Sequence, residues 1–129
     1  MAVYSYLFDE TKSPSMPVID IKLIEPGSGL SIGPLSALVD TGADGTLVPK
    51  HLLEDIGAIP IGRGRLRWLW DESRHVQIYL VRLEIGPHVL RGVHVAGIPN
   101  STDFILDRNV LNHFAFTVDG PAGVIEIPV

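Results

Sequence analysis

The sequence predicts an all-β chain, built as a sandwich or barrel. Thirteen glycines and ten prolines divide its 129 residues into short pieces. Most of those pieces alternate apolar and polar residues with period two, or carry β-branched runs, which is the pattern of a sheet protein. Only two short stretches place apolar residues at helical spacing. A chain of this length is expected to be one domain with room for a genuine core, so neither disulfide nor metal support is required.

Residues 3–8 form the first predicted strand. Val18, Ile19, Ile21, Leu23 and Ile24 mark a second over 17–25, and Pro26-Gly27-Ser28-Gly29 turns out of it. A third covers 30–40, interrupted at Gly33-Pro34. Residues 49–56 read as helix: proline stands at the start, Leu52, Leu53 and Ile56 fall at helical spacing, and Gly57 is the stop. A hairpin follows, with 62–70 as its first arm and Asp71-Glu72-Ser73 as its corner.

The second arm opens the longest strand signal, 74–85. Val76, Ile78 and Leu80 share one parity there, while Val81, Leu83 and Ile85 share the other. The inward face is therefore expected to switch near Leu80-Val81, at a bulge or where the strand passes between sheets. Residues 88–96 and 103–106 supply further strands. Residues 107–114 read as the second helix, with Asp107 suited to capping and Val110, Leu111 and Phe114 on one face. Strands over 115–118 and 123–127 complete the series.

Composition excludes several functions. The net charge of −5 argues against a nucleic-acid partner, which needs a basic surface to displace counterions. The arginines at 63, 65, 67 and 74 read as a solvated hairpin face. No cysteine is present, so disulfides, thiolate zinc sites and cysteine nucleophiles are out. The five histidines show no ligand spacing, and no metal or other cofactor is expected. There is no Gly-x-Ser-x-Gly elbow, and the Gly27-Ser28-Gly29 turn leads into a strand rather than a helix, so it is no phosphate loop. Lacking a signal-like or membrane-spanning stretch, the chain is expected to be cytoplasmic, with no membrane partner.

One segment carries chemistry. An apolar run, Ala37-Leu38-Val39, delivers Asp40 into Thr41-Gly42-Ala43-Asp44, and apolar sequence resumes at Leu47-Val48-Pro49. One carboxylate is a poor hydrolytic device at neutral pH, because it is ionised and has no proton to give. Two held close together cannot both ionise, so they share a proton and supply an acid and a base at once. Asp-Thr-Gly occurs once here. The second carboxylate must then come from another copy of the chain across a two-fold axis. By itself the tripeptide reads more readily as a plain turn after a strand.

The flanking residues favour the chemical reading. Residues 37–49, Ala-Leu-Val-Asp-Thr-Gly-Ala-Asp-Gly-Thr-Leu-Val-Pro, resemble the active-site segment of retropepsin-like aspartic proteases, the retroviral and related bacterial single-domain type. That family's second motif is an apolar pair followed by Gly-Arg-Asp/Asn-x-Leu, and Ile105-Leu106-Asp107-Arg108-Asn109-Val110-Leu111 is similar to it at the expected distance. The hairpin around Trp70-Asp71-Glu72-Ser73 lies where the family has its flap. The resemblance spans roughly residues 17–127.

It implies a closed, mostly antiparallel acid-protease-like β-barrel with one or two short helices, a single domain over 1–129 that is active as a homodimer. Residues 1–16 would be an N-terminal dimer strand and extension, and 17–129 the core, with residues 3–8 and 123–129 forming the dimer. Asp40 would be the catalytic aspartate, Thr41 would bond to its twin across the axis, and Gly42 would offer its carbonyl to an extended peptide or protein substrate. Ala43 and Asp44 would line the substrate, Asp44 would pair with Arg108, and Asn109 would support the site. Trp68 and Trp70, in the hairpin that closes over the peptide, would cap the cleft or pack across strands. Alanine at 43 cannot hydrogen-bond the nearby carboxylate, so an activity optimum in the mildly acidic range is expected.

Asp107 departs from the family pattern, standing where glycine is expected. If the position demanded positive φ, aspartate would be among the less costly substitutes, and it could cap the second helix. It could also compete with Asp44 for Arg108. The rival reading follows: a catalytically impaired dimer of the same fold, acting as a peptide-binding or scaffolding module.

Overall fold

A computed structural model describes residues 3–43, 45–67 and 73–128. Ten strands and two short helices run in the order β1 (Val3–Leu7), β2 (Val18–Ile24), β3 (Ser31–Val39), β4 (Leu47–Pro49), α1 (Lys50–Asp55), β5 (Gly62–Arg67), β6 (Ser73–Ile85), β7 (His88–Ile98), β8 (Phe104–Leu106), α2 (Arg108–Leu111), β9 (Thr117–Asp119) and β10 (Val124–Pro128). The all-β reading holds, and the predicted strands and helices fall within a few residues of these bounds. Sequence reading did not identify β4, whose three residues are too few to display a period.

Strands β2, β3, β8, β4, β7 and β6 pair side by side, and β2–β6 pairing closes them into a barrel. Closure removes the free edges that an open sheet would expose. Most seams are antiparallel, but β3 runs parallel to β8 and β4 parallel to β7. The interior is mainly aliphatic. Ile19, Ile21, Leu23, Val48, Val81, Leu83, Ile85 and Leu106 form one cluster with Leu53 of α1 and Val110 and Leu111 of α2.

Strand β6 serves two structures in succession. Ser73–Ile78 pairs with β5 as a hairpin, and Arg82–Glu84 pairs with β2 to close the barrel. Its inner face changes accordingly, but earlier than the sequence predicts. Tyr79 is buried with Val81, Leu83 and Ile85 in the main core, and Leu80 is only half-buried. Val76 and Ile78 instead join Leu66, Ala96 and Ile98 in a second, smaller cluster under the hairpin. The accompanying bulge lies between Val81 and Leu83, where β7 carries the extra residue and Gly92 takes φ +65°. A similar bulge at Gly33, φ +155°, lets β3 run through the predicted interruption, and a Cβ there would lie 2.9 Å from the Ile21 carbonyl.

Helix α1 ends as its glycine predicts. Gly57 adopts φ +73°, its N–H bonds the Glu54 carbonyl, and the Ala58 N–H bonds the Leu53 carbonyl. That 6→1 and 5→2 pair satisfies the last carbonyls of the helix.

Outside the barrel, β1, β10 and β9 form a separate three-stranded antiparallel sheet with β10 at its centre. Ile125 and Ile127 tie that sheet to the main core. The connection from β1 back to the barrel is pinned at several points. Asp9 and Met16 exchange backbone bonds, and Lys12 pairs with Asp103 at 3.1 Å. Bonds from the Thr11 hydroxyl and N–H hold the Asp9 carboxyl below its ordinary range.

Gly97 leaves less room for a side chain than any other described glycine. A Cβ there would fall 2.6 Å from the Tyr79 ring and 3.2 Å from Leu53 Cδ1. Gly97→Ala is expected to destabilise the fold by about 1–3 kcal/mol through overpacking, read as a lowered urea midpoint with an unchanged slope.

Candidate active site

Asp40 stands on the residue after β3, where the parallel β3–β8 seam ends. Ala37, Leu38 and Val39 are buried beside Phe104, Ile105 and Leu106, so the backbone entering the site is fixed by packing on both strands. Two hydrogen bonds finish the job: Val39 N–H donates to the Pro17 carbonyl at 3.0 Å, and Asp40 N–H to the Leu106 carbonyl at 3.1 Å. The chain then turns. Ala43 N–H donates to the Asp40 carbonyl at 3.3 Å, and Gly42 N–H to Asp40 Oδ1 at 3.0 Å. This is an Asx-type turn, in which the acid orients its own carboxylate through the backbone two residues on. Asp40 is half-buried, whereas Thr41 and Gly42 are exposed. The turn thus presents one carboxylate, a hydroxyl and a glycine backbone outward, on a rigid base.

The second motif lies directly behind. Thr46, almost wholly buried, links three elements. Its Oγ1 accepts the Asp107 N–H at 3.1 Å and donates to Asn109 Oδ1 at 2.6 Å, while its carbonyl accepts the Ala96 N–H at 2.9 Å. Asn109 Nδ2 in turn donates to the His94 carbonyl at 3.1 Å. Thr46 therefore joins the end of the acid-bearing loop to the start of α2 through its hydroxyl and to β7 through its carbonyl. Sequence reading assigned Asn109 a supporting place but gave Thr46 none. The available signal was a lone hydroxyl residue bounding the apolar return 47–49.

Asp107 corrects two expectations. Its φ is −102°, so the position has no requirement for glycine's left-handed backbone. It stands at the N-cap of α2, yet its side chain makes no capping bond. The carboxylate is instead folded inward: the residue is 8% exposed and Oδ1 is buried with no hydrogen-bond partner among the described residues. Arg108 Nε lies 3.6 Å away, an ion pair rather than a hydrogen bond, and its side chain is largely exposed. Arg108 thus already faces Asp107. The expected partner Asp44 lies outside the described residues, as do Trp68 and Trp70.

A cavity of about 450 Å³ lies between the first part of β6 and the end of β7 with the turn that follows it, lined by Arg74, His75, Val76, Ile98, Pro99 and Asn100 among others.

Thr46→Val keeps the shape of the side chain and deletes its hydrogen bonds, leaving the Asp107 N–H and Asn109 Oδ1 without those partners. The expected loss is about 1–3 kcal/mol of stability, measured by urea unfolding. Thr46→Ser retains the hydroxyl and is expected to lose less.

Comparison with known proteins gives the family and the fold. A family model described as aspartyl protease matches residues 29–110, which include both the Asp40 turn and the Asp107–Val110 segment. Among solved structures, a retropepsin-like aspartic protease from Rickettsia conorii superposes with a TM-score of 0.63 at 14% identity, over 98% of this chain and 91% of that one. The EIAV protease, solved with the inhibitor HBY-793, gives a TM-score of 0.54 at 18% identity over 76% and 86% of the two chains. A foamy viral protease–reverse transcriptase gives 0.54 at 16% identity, covering 78% of this chain and 16% of that larger one. No curated protein sequence matches. The solved structures share the fold, and the family model spans most of the chain and both motifs: the chain belongs to the aspartyl protease family, with a retropepsin-like barrel.

Proposed function

We propose that the chain is an aspartic endopeptidase, active as a homodimer, that hydrolyses internal bonds of extended, apolar-leaning peptides without a cofactor. The observation that carries this reading is the single Asp40 carboxylate, displayed on an exposed turn whose backbone is fixed on both sides. Two such turns facing across a two-fold axis make a dyad with one shared proton. The ionised Asp40 takes a proton from water as the water oxygen attacks the scissile carbonyl carbon, and the protonated Asp40 gives its proton to the carbonyl oxygen. Collapse of that tetrahedral species breaks the C–N bond, with a proton passing to the leaving nitrogen. Thr41 holds the paired turns together, and Gly42 and Ala43 offer backbone to the peptide, which binds as an added strand. Asp44, Trp68 and Trp70 belong to the substrate cleft in this reading, and Arg108 and Asn109 to its support.

One observation favours a second reading. The buried Oδ1 of Asp107, with no hydrogen-bond partner among the described residues, sits on the residue after Leu106, whose carbonyl holds the Asp40 N–H. An added carboxylate there is the basis for a peptide-binding dimer impaired in hydrolysis.

Incubation with a diverse peptide library at several pH values separates the two. Under the enzyme reading, Asp40→Asn lowers cleavage by about three orders of magnitude with folding intact. No cleavage at any pH, with peptide binding indifferent to Asp40→Asn, refutes it. Asp107→Gly is expected to leave the cleavage rate within about tenfold, roughly 1.4 kcal/mol of barrier. Activity that appears only in Asp107→Gly establishes the second reading instead.

A further inference from the structure

The basic residues of the chain are not spread evenly. Of its ten lysines and arginines, four are the arginines at 63, 65, 67 and 74, in a chain whose net charge is −5. Between Asp55 and Glu84 the only acids are Asp71 and Glu72, which lie outside the described residues. Strand register sorts the two faces of the hairpin. Arg63 stands opposite Gln77, Arg65 opposite His75 and Arg67 opposite Ser73, so no carboxylate is set against an arginine across the strands. Arg63, Arg65 and His75 are exposed, and neither of those two arginines has an ion pair among the described residues.

The opposite face is apolar and already occupied. Leu66 and Val76 pack with Ala96 and Ile98, and a Cβ at Gly64 would fall 2.9 Å from Ile78 Cδ1. Leu66 also approaches the acid-bearing loop, its Cδ2 standing 4.0 Å from where a Cβ on Gly45 would lie. The arginine face is thus turned away from that loop. Two features make it more than a solvated surface. A cavity of about 200 Å³ opens between Arg63, His75, Val76 and Gln77, with room for a side chain. Ile59 and Ile61, 78% and 57% exposed, lead into β5 at the same alternate spacing, and Ile61 is held to the hairpin by its N–H bond to the Ile78 carbonyl. Single exposed apolar residues are ordinary, but two in line with Arg63 and Arg65 make a surface with an apolar end and a cationic end.

We propose that the outer face of the β5–β6 hairpin docks an acidic, extended segment of a partner polypeptide. Alternate side chains on one face of a strand stand about 7 Å apart, and an extended peptide presents its own alternate side chains at the same spacing. Carboxylates on alternate residues of the partner meet Arg63 and Arg65 together, as charge-assisted hydrogen bonds. An aliphatic residue at one end covers Ile61. A second copy of this chain is not the occupant, because no two acids in its sequence stand two residues apart. The docking does not rest on hydrolysis at Asp40, and its test is read apart from cleavage.

The probe is a fluorescein-labelled peptide with glutamate at three alternate positions and leucine at two alternate positions before them. It is titrated with the Asp40→Asn chain, so that no cleavage intervenes. Fluorescence anisotropy is expected to show saturable binding that weakens as salt is raised. The same peptide with glutamine for glutamate should bind about tenfold more weakly or worse. Arg63→Glu combined with Arg65→Glu is expected to weaken the glutamate probe by about tenfold or more and to gain binding of its lysine counterpart, which also shows that the variant is folded. Ile61→Ser should weaken the glutamate probe while leaving its salt dependence unchanged. A glutamate probe that does not bind, or that binds no better than the glutamine one, overturns the proposal. So does binding indifferent to both arginines, or phosphatidylserine vesicles held through Arg63 and Arg65 while the peptide is ignored. Docking of the glutamate probe by a chain that cuts no peptide at any pH leaves this face standing and removes the protease reading alone.

Discussion

The parallel seam between β3 and β8 is the constraint from which the site follows. Strands from distant parts of the chain run in the same direction, with Val39 and Leu106 in register at their ends. Parallel neighbours need a long crossover between them, and here it is supplied by β4, α1, the hairpin and β7. Since both strands end together, the residues that follow them, Asp40 and Asp107, emerge side by side into the same corner of the barrel. The buried hydroxyl of Thr46 locks that corner by joining the crossover's first strand to the turn entering α2. An acid on such a base has little freedom, which is what positioned chemistry demands. The same corner holds the Asp107 backbone through its N–H bond to Thr46, while its carboxylate is buried without a hydrogen bond among the described residues.

Much of this was legible in the sequence because strands declare themselves by parity and helices by their ends. The β2 pattern, with Ile19, Ile21 and Leu23 buried against exposed Asp20 and Lys22, is read directly from alternation. Gly57 announced the end of α1 for a reason that backbone geometry repeats. The Asp40 turn stood out because its residues have few other uses after a buried strand.

What was not legible depends on partners rather than on local pattern. Leu80 has the parity and apolarity of a core residue, but β6 exchanges its neighbour from β5 to β2 near that point, and Tyr79 is drawn in instead. No sequence period records which strand lies alongside. Asp107 sits where a cap belongs, and whether its carboxylate bonds the helix or turns inward is decided by tertiary packing. The terminal strands illustrate the same limit: both were readable as strands, yet their pairing within one chain is a matter of topology.

The division of apolar residues into two clusters has a mechanical consequence. Leu66, Val76, Ala96 and Ile98 support the hairpin arms without sharing the main core, which Tyr79 and its neighbours on β6 close off below. Cooperative units in a protein follow such divisions, and the unit with the smaller buried area opens at the lower free energy. The arms are therefore the part expected to open at the lower free energy, while the barrel stays assembled. The acid-bearing turn is fixed by the barrel's own seam and backbone bonds, so its carboxylate keeps its place when the arms loosen.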